Sequence, residues 1–102
     1  MLYNVLKYDV VDDEIEKVVL YYESVSQDIG IRFETEVEKA LDKLETKAEY
    51  FFYLQDKKHR RIPIEGFPYS LIYCIEGQRV IVKMLIPQKD DPAKLWDQLG
   101  LI

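Results

Sequence analysis

The sequence predicts an α+β fold. An antiparallel helical hairpin packs on a mainly antiparallel, twisted sheet of about four strands, and a short helix ends the chain. Three observations carry this. Two apolar stripes of helical period lie in the first half, separated by very few residues. Three short runs of β-branched and aromatic residues fill the second half, two of them joined across a two-residue turn. One more such run stands ahead of the first helix. Strands joined as neighbouring hairpins, with helices gathered elsewhere in the chain, give separate layers rather than alternating βαβ units.

Element by element, the pattern is as follows. "LYNVLKYDV", Leu2 to Val10, reads as a first strand. "DDE" at Asp12 to Glu14 then supplies an N-cap and an acidic first turn. Ile15, Val18, Val19 and Tyr22 follow at i, i+3, i+4 and i+7. This helix is expected to stop near "SQDIG", with Gly30 in the left-handed conformation. The second stripe is Phe33, Val37, Ala40, Leu41, Leu44 and Ala48. Its polar face sets Glu34 over Glu38, Glu38 over Asp42 and Lys39 over Lys43, so burial of the stripe must hold this helix, not ion pairs. The short link between the stripes favours an αα-hairpin.

"AEYFFYLQDKK" is an aromatic connection. "HRRIPI" is a strand whose Pro63 demands an edge or irregular place. "YSLIYCIE" and "RVIVKMLI" form a hairpin about Gly77–Gln78. "DDPAKLWDQLG" reads as a short closing helix, with Pro92 near its start and Gly100 at its end. No repeat, low-complexity stretch or linker interrupts residues 1–102, so a single domain is expected.

Composition bounds the function. The chain is 48% hydrophobic and 32% charged, as globular proteins are. The start lacks the basic, apolar and small-residue order of a secretory leader, and no run approaches the roughly 18 apolar residues of a membrane span. The expectation is a cytoplasmic protein with no membrane partner. One cysteine and one histidine cannot assemble a structural zinc site, and neither metal nor cofactor is expected. The net charge is −5, yet the halves differ: residues 1–56 carry −8 and residues 57–102 carry +3. Lys57, Lys58, His59, Arg60 and Arg61 stand in a row.

Three pieces carry a family resemblance over nearly the whole chain. "YYESVSQDIGIRF" joins the two helices, Arg61 precedes Phe67-Pro68-Tyr69 and Tyr73, and Asp91-Pro92 precedes Trp96. In this order and spacing the sequence resembles the RelE/ParE superfamily of type II toxin–antitoxin systems, also known as plasmid-stabilisation proteins. The resemblance implies a small toxin neutralised by a cognate antitoxin. ParE-like members inhibit DNA gyrase by binding; RelE-like members cleave mRNA on the ribosome; some relatives have no demonstrated toxicity.

Metal-free RNA cleavage needs a base, a cationic stabiliser and an acid. Arg61, Arg79 and Lys83 could supply charge, but the proton carrier is harder to place. Pro87 stands where many relatives carry a His, and the tail "WDQLGLI" holds neither His nor Tyr. His59 is available, but it opens a different strand. Catalytic residues are therefore unassigned. The resemblance favours a ParE-like toxin that acts by binding, with the ribosome-dependent endonuclease and a non-toxic binding module of the same fold as alternatives. Arg60, Arg61, Arg79, Lys83 and Lys89 are the candidate partner-binding or target-binding surface, on the side of the sheet away from the helices. Tyr69 and Trp96 are candidates to line a groove there. Cys74, between apolar neighbours, reads as a buried, inert thiol. A homodimer and a toxin–antitoxin hetero-oligomer both fit the resemblance.

Overall fold

The computed structural model describes residues 2–92. The element order is β1 (Asn4–Lys7), α1 (Asp9–Val25), α2 (Gln27–Lys47), a 3₁₀ turn (Ala48–Tyr50), β2 (His59–Pro63), β3 (Tyr69–Glu76) and β4 (Arg79–Pro87). The strands lie in the order β1-β4-β3-β2. β2–β3 and β3–β4 are antiparallel, and β1 joins β4 in parallel. The α+β class holds, with one parallel pair in the sheet. The expected closing helix and Trp96 lie outside the described residues.

The first strand is shorter than the sequence suggests, and the first helix starts earlier. β1 pairs over only four residues, Asn4–Lys7 against Arg79–Val82. Val11 continues the stripe one turn ahead of Ile15 and is fully buried, so burial extends α1 back to Asp9. Asp9 and Asp12 then sit in the first turn, where a carboxylate suits the positive end of the helix dipole. Lys7 Nζ lies 2.7 Å from Asp12 Oδ1 and ties strand to helix.

Gly30 has a different role from the one expected. The hairpin bends at Ser26, whose extended backbone (φ −162°, ψ 131°) ends α1 and opens α2. Gly30 lies in the first turn of α2, where a Cβ would overlap Glu23 Cγ and stand 3.2 Å from the Glu23 backbone nitrogen. A side chain here would push the helices apart. Gly30→Val is expected to cost about 1–3 kcal/mol, read as a lower urea midpoint.

The core lies between the hairpin and one sheet face. Phe33, Val37, Ala40 and Leu44 of α2 meet Ile62, Leu71, Tyr73, Val80 and Val82 of the sheet. Phe33 is its aromatic centre, 5.1 Å from the Phe67 ring, 5.5 Å from Tyr22 and 5.8 Å from Tyr69. Tyr73 is fully buried and donates its hydroxyl to the Ala48 carbonyl at 2.5 Å. Burial raises its pKa. A smaller cluster of Ile72, Met84 and Ile86, with Leu54 against it, covers part of the opposite face. The β3–β4 register shifts between Ile72 and Tyr73, which pair with Met84 and Val82, so Lys83 has no residue directly across from it.

Candidate functional site

Alternation along the strands sorts the predicted residues. Arg61 pairs with Ile72 and lies away from the helices, on the open face. Arg79 shares that side, at the exposed hairpin end of β4. Lys89 follows β4 in a turn and lines a cleft with Arg61 and Gln88. Arg60 stands apart. It pairs with Tyr73, on the helix side. Its Nη1 donates to the carbonyls of Glu49 (3.0 Å) and Phe51 (2.8 Å), and its guanidinium stacks 3.8 Å over the Tyr53 ring. Arg60 therefore fastens the α2–β2 connection to the sheet. Tyr69 is half-buried against Phe33, where its strand meets a shallow groove beside Pro68, Pro87 and Lys89.

Lys83 is on the open side but only 6% exposed. Its ammonium lies 3.1 Å from His59 Nε2, and His59 Nδ1 lies 2.6 Å from Asp56 Oδ2. An ammonium can only donate, so Nε2 accepts. The imidazole proton is then on Nδ1 and donates to Asp56. Asp56 Oδ1 also accepts the backbone N–H of Lys58 and of His59, both at 3.0 Å. These bonds hold Lys57 at φ 58°, a left-handed conformation uncommon for a side-chain-bearing residue. Partial burial opposes ionisation of Asp56, but the His59 ring and the two backbone donors outweigh it and hold its pKa below the usual carboxylate range.

His59 is 4% exposed and bonded through both ring nitrogens, which leaves no free edge for a substrate. The trio closes residues 51–58 onto the sheet. In the sequence His59 stands out as a member of the basic row and as a spare proton carrier, and Asp56 does not stand out at all. The Asp-x-x-His spacing is the signal that could find the pair. Beside them Cys74 is fully buried, and burial pushes its thiol pKa up, as an inert thiol requires.

The open face holds a cleft of about 550 Å³ between residues 52–54 and the end of β4, with Arg61, Ser70 and Gln88 on its walls. Arg61 Nη2 donates to the Asp90 carbonyl at 3.2 Å. Arg61 Nε and Ser70 Oγ are buried without a hydrogen-bond partner. Phe52, on the rim, is 89% exposed. Among the described residues no group of three or more His, Cys, Asp or Glu side chains could hold a metal ion, and no helix is long and apolar enough to cross a membrane.

No family model matches the sequence, and no curated protein matches it. Solved structures do match its fold. One is a chain of the chromosomal ParDE TA system from P. aeruginosa, with a TM-score of 0.75 and 9% identity, covering 84% of this chain and 96% of that one. The fold expected from the sequence is thus found again in a solved structure: this chain is similar in fold to nearly the whole of a ParDE-system chain.

Proposed function

We propose that this protein is the toxin of a bacterial type II toxin–antitoxin system, ParE-like in acting by binding its target and neutralised by a cognate antitoxin. The observation that carries this reading is the fold likeness to a ParDE-system chain over 96% of that chain's length. DNA gyrase is the proposed target, and the cytoplasm the proposed place of action. The binding surface is the open face, with Arg61, Arg79 and Lys89 presented there and Lys83 buried beneath, supporting the connection that walls the cleft. Tyr69 lines the adjoining groove.

The site chemistry favours binding over cleavage. The histidine is buried and bonded through both ring nitrogens. The expected result with purified protein is inhibition of gyrase supercoiling at stoichiometric toxin, without mRNA cleavage in a translation extract. Cleavage of mRNA on ribosomes, with supercoiling untouched, would replace this reading by the endonuclease.

A further inference from the structure

We propose that copies of this chain associate head to tail, with the aromatic and basic connection of one copy, residues 50–58, seated in the acidic groove between the helices of the next. Groove and connection are both exposed, both partly apolar, and opposite in charge.

The groove runs along the outer side of the α1–α2 hairpin and encloses about 410 Å³. Its residues stand off the buried stripes. On α1 they are Glu16, Leu20 and Glu23 rather than Val11 and Val18; on α2 they are Ile31 and Glu34 rather than Phe33 and Val37. Gly30 adds no side chain to the floor. Leu20 and Ile31 stay 57% and 55% exposed, and they form the apolar walls. Four of the nine lining residues are acidic, and none is Lys, Arg or His. Asp12 answers Lys7, so Glu16, Glu23 and Glu34 set the sign of the field. Two copies meeting groove to groove would press like charges together, which excludes that pairing.

The complement lies on the same chain. From Lys47 to Arg61 there are five Lys or Arg and two acidic residues, a net of +3 on a chain of −5. Lys57 and Lys58 are exposed. Tyr50 is 78% exposed and Phe52 89%. Arg60 and the Asp56–His59–Lys83 trio already hold this connection against the sheet, so little further ordering opposes its docking. An aromatic ring fills the groove between Leu20 and Ile31, and the lysine ammonium groups lie against the carboxylates. Phe52 borders the open sheet face, whereas the groove is on the far side of the helix layer. The contact is therefore heterologous, and growth passes the dimer before any ring closes.

The test is sedimentation velocity of the full chain from about 1 µM to about 1 mM, in low salt and in about 0.5 M salt. One aromatic ridge in one groove is a small contact, so half-association at about 100 µM is expected. The mass should pass that of a dimer in low salt and shift back toward the monomer in high salt. A groove variant, Leu20→Ser with Glu23→Gln, and a connection variant, Phe52→Ser with Lys58→Gln, are each expected to weaken association about tenfold or more. All four side chains are exposed, so the thermal midpoints should stay at the wild-type value. An equimolar mixture of the two variants keeps one intact connection facing one intact groove, and it should form a one-to-one pair and stop there.

A monomer at every concentration would overturn the proposal. So would a wild-type mass that stops at the dimer, association indifferent to salt, or a mixture that associates no better than either variant alone. A hexapeptide alternating phenylalanine and lysine is the competing occupant. If it shifted the groove amides of a ¹⁵N-labelled chain that stays monomeric, the groove would belong to a foreign basic segment and not to a second copy.

Discussion

Phe33→Ala is expected to lower stability by about 3–5 kcal/mol. Phe33 is fully buried, and its ring meets those of Tyr22, Phe67 and Tyr69 edge-on or tilted. It joins α1, α2, the turn before β3 and β3 itself. Truncation removes the apolar transfer energy and the ring contacts, and it leaves a cavity that four separate elements cannot easily collapse into. A domain of this size has only about 5–15 kcal/mol in total. In urea denaturation the midpoint should drop steeply with an unchanged slope. A loss below about 1 kcal/mol would mean that the hairpin-to-sheet core is not centred on this ring.

Asp56→Ala is expected to cost about 2–4 kcal/mol, through loss of two backbone hydrogen bonds and one to the His59 ring. The Lys83 ammonium would also lose the carboxylate that faces it through the imidazole. Asp56→Asn keeps an acceptor for the two backbone donors and should cost less. The pH dependence has a definite sign. The folded-state pKa of Asp56 is depressed, so its contribution is fully present above the ordinary carboxylate pKa of about 4 and falls away as pH drops through the lower folded value. Wild-type stability should therefore decline below about pH 4, and Asp56→Asn should flatten that limb. Parallel limbs in the two proteins would contradict the assigned bonds.

The helices and the strand sequence are legible because each element buries one face. Phe33, Val37, Ala40 and Leu44 repeat with helical period, and all four are buried. Gly77 at φ 63° takes the first position of the expected β3–β4 turn. Close approaches and element ends are what a linear pattern misplaces. Gly30 resembles a helix stop because the glycine is visible in the sequence and its approach to Glu23 is not. β1 looks longer because Val10 and Val11 suit a strand as well as a helix, and only packing against the core decides.

The site is half legible. Alternation separates Arg60 from Arg61, but it does not show that Arg60 is consumed by the Glu49 and Phe51 carbonyls. The same alternation makes Lys83 a surface cation, whereas the fold buries it. The register shift at Ile72/Tyr73 and the reach to His59, 24 residues away, lie beyond any local pattern. The unpaired Ser70 hydroxyl is a property of tertiary burial alone.

Induction of this chain in a bacterial host from a tightly repressed promoter, with pulse labels for DNA and protein synthesis, tests most directly whether it is a toxin that acts by binding. An early fall in DNA synthesis, relieved by co-expression of the cognate antitoxin, is the expected result. An early fall in protein synthesis, or unimpeded growth at a confirmed level of soluble protein, would contradict it.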